Sequence, residues 1–241
     1  MGKYFLLYET YDAFSAEQGS KQYVMTVKPG VAYTKDNQGV FYNKTSGWEY
    51  VDLGLPSNTL WATCNVGASS PEEYGDFYAW GEVETKNETA YTDEGYRFHN
   101  GNESEYSKYN STDNKMTLDL EDDAANVVMG GNWHMPSKAQ LLELSANTTT
   151  AWTNDYNGTG VAGAILTSKN NGNSIFFPAA GEAIDDAAAY QGVVFSVWSS
   201  SLGPGSNSAW GLAGSSDVMD VSTAGRFTGL SVRGVLGELN D

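Results

Sequence analysis

Ser199, Ser200 and Ser201 directly follow Trp198, and three adjacent hydroxyls are where a search for a nucleophile starts. A serine nucleophile needs a base to take its proton and a sharp turn to present it. No G-x-S-x-G elbow stands in the chain. His134, just before a helix start, has no evident acid partner. Three hydroxyls in a strand and its exit therefore read as partners of the backbone. Cys64 is the single cysteine, which excludes an internal disulfide and a cysteine-based zinc site. Two histidines, His99 and His134, are too few for a histidine-rich one.

Asp119, Glu121, Asp122 and Asp123 have the oxygen chemistry that suits Ca²⁺. Their spacing is not that of an EF-hand loop, and acids at a helix start are also favoured by the helix dipole. A structural Ca²⁺ is thus the one cofactor left open, and none is required. Asp76 and Glu82 flank an aromatic strand and read as structural hydrogen-bonding groups. Gly158, Gly160 and Gly163 match G-x-G-x-x-G, but the run follows a turn and leads into a strand. A pyrophosphate site needs a helix start there, so this is a glycine-rich turn. These features point away from an enzyme.

The elements that must position these residues sit in a chain of 241 residues with 30 acidic and 13 basic side chains, a net charge of −17. That length allows one large domain, with or without an appendage. The charge repels phosphates and anionic membrane surfaces, which excludes nucleic acid as a partner. No apolar run approaches the ~20 residues that cross a bilayer, so membrane insertion is not expected. Phe5-Leu6-Leu7-Tyr8 is too short for a signal-peptide core, and Glu9 breaks it.

Residues 1–46 read as a small β-rich unit. Strands are expected at 3–10 and 22–27, and segments 31–33 and 39–42 flank the turn Lys35-Asp36-Asn37-Gln38. The main domain, 47–241, opens with strands at 48–53 and 60–65. Ser70-Pro71-Glu72-Glu73 has the marks of a helix start, stopped by Gly75 after barely one turn. An aromatic strand follows at 77–80. Residues 82–115 form a long polar loop, functional or tied down by its tyrosines. A helix opens in 118–125 and stops at Gly130-Gly131. A second runs from 138 to 146, capped by Ser137, with Leu141, Leu142 and Leu144 as its buried stripe. Strands at 164–168 and 174–178 are joined by an Asn-Gly turn. Helices segregated from mainly antiparallel strands give an α+β fold class.

The segment 192–235 is the most unusual. It holds three apolar cores, around Trp198, Trp210 and Val232, separated by Ser, Gly, Asp, Asn, Thr and Ala, and it contains no Lys, Glu or Gln. Charged side chains are the default on solvated loops, so their absence needs a reason. Most of the tryptophans read as core anchors.

An ordered set of motifs bears on that reason. It includes Val51-Asp52-Leu53-Gly54-Leu55-Pro56, Leu60-Trp61-Ala62-Thr63-Cys64-Asn65-Val66-Gly67, Tyr74-Gly75-Asp76-Phe77-Tyr78-Ala79-Trp80-Gly81-Glu82, Gly131-Asn132-Trp133-His134-Met135-Pro136, Phe176-Phe177-Pro178-Ala179-Ala180-Gly181, Val197-Trp198-Ser199-Ser200-Ser201 and Leu230-Ser231-Val232-Arg233-Gly234-Val235. Over 47–236 the chain resembles the Fibrobacter-type major paralogous domain of Bacteroidetes and their phages, which is similar to the formylglycine-generating-enzyme-like branch of the C-type lectin fold. The resemblance implies a C-type lectin fold. The catalytic cysteines of formylglycine-generating enzymes have no counterpart, and the sugar-and-calcium tripeptides of animal lectins are missing. Some members are variable proteins of diversity-generating retroelements, in which adenine-directed mutagenesis rewrites AAC-type codons. Such codons never yield Lys, Glu, Gln, Met or Trp. Within 192–235 only Trp198, Trp210 and Met219 fall outside the permitted set.

The resemblance implies a ligand-binding protein with a variable region at about 184–235. Asp185, Asp186, Tyr190, Val194, Phe195, Val197, Asn207, Asp217, Asp220, Arg226 and Phe227 are the expected contacts, on one continuous face. The expected partner is a surface protein or glycan of a host or neighbouring cell, with a homo-oligomer also open. The expected location is a phage tail or bacterial surface. The alternative is a non-diversified structural or assembly domain.

Overall fold

The computed structural model describes residues 13–18, 21–26, 33–35, 41–45, 47–87, 90–101, 106–184 and 187–237, the first four segments as backbone strands. The chain is α+β, mostly sheet, with two short helices among the described residues.

β1 (Ala13–Gln18) and β2 (Lys21–Thr26) pair as a hairpin. β3 (Tyr33–Lys35), β4 (Phe41–Thr45), β5 (Trp48–Asp52) and β6 (Leu60–Ala62) pair in succession, all antiparallel. The expected strand at 3–10 lies outside the described residues, whereas β1 occupies a stretch for which no strand is expected. Pairing of β4 with β5 carries one sheet across residue 46. Residues 70–75 make only a turn, closed by Glu73 N–H to Ser70 O at 3.2 Å.

β7 (Phe77–Tyr78) precedes the long loop. A 3₁₀ turn, Leu120–Asp122, then leads into α1 (Ala124–Met129). Asp123 caps α1 by accepting from Asn126 N–H at 2.9 Å, and Gly130 ends it at φ +71°. In α2 (Lys138–Asn147) Ser137 and Gln140 form a reciprocal capping box. Leu141 and Leu144 are fully buried, but Leu142 is 48% exposed. Three residues make nearly a turn, whereas one residue rotates the side chain by ~100°, so Leu142 leaves the expected stripe.

β8 (Thr148–Thr153), β9 (Gly163–Ser168) and β10 (Ser174–Pro178) form an antiparallel sheet. β11 (Glu182–Ile184) and β12 (Ala187–Ala189) form a hairpin. β13 (Phe195–Leu202), β14 (Ser208–Gly214), β15 (Met219–Gly225) and β16 (Leu230–Ser231) complete the central sheet, in the order β15-β14-β13-β16-β7. β17 (Val235–Leu236) returns to pair with β6.

Alternation along these strands serves two cores, one on each face of the central sheet. Phe195, Val197, Leu212 and Val221 join the cluster containing Leu141, Leu144, Trp61 and Phe177. Trp198, Ala209, Leu230 and Tyr78 join the cluster containing Trp80, Trp133 and the loop aromatics. Two indoles clasp β7 to β13: Trp198 Nε1 donates to Tyr78 O and Trp80 Nε1 to Ser199 O, both at 2.8 Å.

The tyrosines of the long loop are buried, and the hydroxyls of Tyr91 and Tyr96 hold it to the 77–80 segment. Tyr91 bonds Phe77 O at 2.5 Å and Tyr96 bonds Trp80 O at 2.6 Å. Burial, reinforced by Asp76, pushes the Tyr78 phenol up to about 12. Arg226 lies at the centre of this packing, with its guanidinium 4.7–5.7 Å from the ring centroids of Trp80, Tyr96, Phe98, Tyr106 and Tyr109. A second buried guanidinium, Arg233, bonds Asn65 Oδ1 and the carbonyls of Ala62, Thr63 and Phe176. Full burial lowers its pKa to about 10. Carbonyls and aromatic faces, rather than carboxylates, offset the loss of water around both charges.

Candidate functional site

The register of the central sheet decides which expected contacts stand together. Phe195 pairs with Gly214 and Gly214 with Met219, so the start of β13, the end of β14 and the start of β15 share one end. Leu202 pairs with Ala209 and Ser208 with Gly225 at the other. Tyr190, Val194, Asp217 and Asp220 belong to the first end; Asn207, Arg226 and Phe227 belong to the second. Seven residues of β14 separate them, roughly 20 Å at strand rise. The expected single continuous face is therefore split between two ends. Asp185 and Asp186 lie outside the described residues.

Burial corrects three assignments. Phe195 and Val197 are each 1% exposed and Arg226 is 0% exposed. The first two point into the core because β13 is covered on both faces. Arg226 is drawn inward because only there do four acceptors meet its fork: Tyr96 Oη at 2.9 Å, Tyr109 O at 3.2 Å, Ser206 O at 2.8 Å and Lys108 O at 3.0 Å. Val194 and Phe227 are half-buried, and Asn207 is exposed.

Two turns build the first end. In 190–194, Val193 and Val194 N–H both donate to Tyr190 O, at 3.0 and 3.1 Å. Gly192 N–H donates to Ala179 O and Gly181 N–H to Val194 O, both at 2.8 Å. A side chain on Gly181 would strike the Ala189 carbonyl and the Gln191 nitrogen, and its φ is +77°, so glycine lets the turn lie against 179–181. Tyr190 itself holds φ +61°, a conformation that costs a non-glycine residue about 1–3 kcal/mol. In 215–218, Ser215 N–H donates to Val218 O at 2.8 Å. Gly214 leaves space for the Phe195 ring beneath this turn. Phe195 thus supports the surface from below.

Three large apolar side chains stand out from these turns: Tyr190 at 61%, Val193 at 56% and Val218 at 63% exposed. Val193 and Val218 are absent from the expected contacts. The run Val193-Val194-Phe195 reads as strand, and only its third residue lies in β13. The signal that could have found them is a valine beside a turn former, Gly192 in one case and Asp217 in the other.

The chemical candidates resolve into structure. Ser199 Oγ donates to Trp210 O at 2.8 Å, Ser200 Oγ to Pro136 O at 3.4 Å, and Ser201 Oγ accepts from Lys138 N–H at 2.9 Å. His134 is buried with its ring nitrogens at the carbonyls of Met135 and Gly237. Gly158 and Gly160 hold positive φ in a turn before β9. Asp123 caps α1 and also accepts from Met135 N–H at 2.8 Å; burial raises its pKa against these bonds.

Ligand oxygens of Asp119, Glu121 and Asp122 lie within 4.8 Å of one another. Lys108 Nζ sits among them, 2.7, 3.3 and 2.5 Å from the three carboxylates. Burial alone would lower the Lys108 pKa, but Asp119 and Asp122 outweigh it and hold the ammonium charged. The Lys108 ammonium thus offsets part of the negative charge of this carboxylate cluster. A cleft of about 440 Å³ beside it is lined by Glu82, Lys86 and Arg97, whose charges are paired: Lys86 with Glu82 at 2.6 Å, Arg97 with Asp122 at 3.0 Å.

Comparison with protein-family models, with curated proteins and with solved structures finds no match to the chain.

Proposed function

We propose that this chain is a ligand-binding protein of the C-type lectin fold, formylglycine-generating-enzyme-like branch, whose 184–235 segment is a diversified recognition surface. A phage receptor-binding protein and a bacterial surface adhesin are the settings this reading fits, with a surface protein or glycan as target. The observation that carries it is the apolar end formed by Tyr190, Val193 and Val218 on two turns, one bonded to residues 179–181 and the other closing the β14–β15 connection. Rigid presentation lowers the ordering cost of binding. The missing Lys, Glu and Gln of 192–235 agree with codon-restricted variation.

Burial sharpens the test. In a sequenced population of the gene, changes should fall at exposed positions such as Tyr190, Val193, Asp217 and Val218. Phe195, Val197, Trp198, Trp210, Met219 and Arg226 should stay constant. A reverse transcriptase beside a near-copy of the 3′ end, differing at adenines, should neighbour the gene. An invariant segment with no such neighbour would overturn the proposal.

A further inference from the structure

The charge carried by the C-terminal sheet is more one-sided than its composition implies. From 187 to 237 the charged residues are Asp217, Asp220, Arg226 and Arg233. Both arginines are 0% exposed, and both aspartates are exposed. Folding withdraws both positive charges of the segment and leaves the negative ones at the apolar end. Among the described residues neither aspartate has an ion pair; one Asp220 oxygen accepts from Val221 N–H at 2.8 Å.

We infer that the end bearing Tyr190, Val193 and Val218 docks a protein whose contact patch is apolar and rimmed by Lys or Arg. This rests on the recognition reading above and adds the chemistry of the partner. Val193 and Val218, each exposed by more than half, have no hydrogen-bonding group for the hydroxyls of a glycan, but they match the apolar centre of a protein interface. Asp217 and Asp220 at the margin complement basic side chains, and the net charge of −17 favours a cationic partner at long range. Asp217 precedes Val218 in the turn and Asp220 follows it at the start of β15, so the aspartates border the apolar residue.

The test uses the full chain, immobilised, and a phage-displayed library of disulfide-constrained peptides. Selection is run with the Val193→Ser/Val218→Ser variant as competitor in solution. The expected pool is net basic and carries aliphatic or aromatic residues. A synthetic peptide from it should lose about tenfold or more in affinity on Val193→Ser/Val218→Ser and on Asp217→Asn/Asp220→Asn. Its affinity should also fall as NaCl rises from about 0.05 to about 0.5 M. Circular dichroism of each variant should match the parent, since the four side chains are exposed or at the sheet margin.

A neutral or acidic pool, an empty one, or peptides indifferent to these substitutions would overturn the inference. So would glycan-array binding abolished by Val193→Ser/Val218→Ser, or a dimer of the full chain in sedimentation lost in the same variant. If population sequencing shows the turns varying while the pool has no basic bias, only the partner chemistry fails. Invariant turns would remove the recognition reading itself.

Discussion

Arg226 Nε donates to the hydroxyl of Tyr96 at 2.9 Å, joining residues 130 apart in sequence and burying both. This bond ties the long loop to the end of β15. The guanidinium serves four acceptors at once and lies within 5.7 Å of five ring centroids, so one residue organises a region that has little regular structure of its own.

Replacing Arg226 by Leu leaves the carbonyls of Lys108, Ser206 and Tyr109 without this donor. Unsatisfied buried acceptors cost about 1–3 kcal/mol each. The expected loss of stability is about 3 kcal/mol or more, read by urea denaturation, with faster hydrogen exchange across 91–101 and 106–109. Arg226→Lys keeps the charge but not the planar fork, so it should fall between the two. A leucine variant as stable as the parent would show that the loop is held by its tyrosines alone.

Gly181→Ala should disturb the 190–194 turn more than any substitution within the turn. The added carbon meets backbone atoms of 189–191, which have no rotamer to yield, and the residue must hold φ +77°. The cost is expected at about 3 kcal/mol. A wild-type melting curve would mean that the turn moves freely off 179–181.

Phe195→Ala tests a buried support beneath an exposed surface. Large-to-small changes at fully buried aromatics cost about 3–5 kcal/mol. Tyr190→Ala, at a residue 61% exposed, should change stability by about 0.5 kcal/mol or less. Equal effects from both would contradict the placement of Phe195 in the core.

Asp119 controls part of the acid limb of stability. Hydrogen bonds from Lys108 and Lys115 lower its pKa below the ordinary 3.8. The folded state therefore binds the proton less readily than the unfolded chain. Its contribution is complete above the ordinary value and is lost as pH falls through the folded one. Asp119→Asn should flatten the stability curve below about pH 4, measured by denaturant midpoints across pH. An unchanged acid limb would assign the effect to other carboxylates. At the alkaline side, Lys108 contributes stability that is present below its ordinary 10.5 and lost as pH rises through the folded value.

Much of the local structure follows from residue type alone. Ser137 with Gln140 marks the start of α2, Gly130 marks the end of α1, and the β9–β10 hairpin lies where its asparagines and glycine place it. The tryptophans at 61, 80, 133 and 198 are buried, as large apolar side chains require. The serines beside Trp198 bond the backbone, as hydroxyls in strands do.

Which surface those elements present was decided by tertiary contacts. A period of two cannot tell that β13 has a core on both faces, so Phe195 and Val197 look half-exposed in sequence and are not. An arginine in a Gly/Ser segment looks solvated until five aromatic rings from another part of the chain close around it. Sheet register then sends Asn207 to one end and Asp217 to the other. Composition sets which side chains are available, but the sign of the charge at the apolar end depends on long-range burial: both arginines find their acceptors inside, and only the aspartates are left in water.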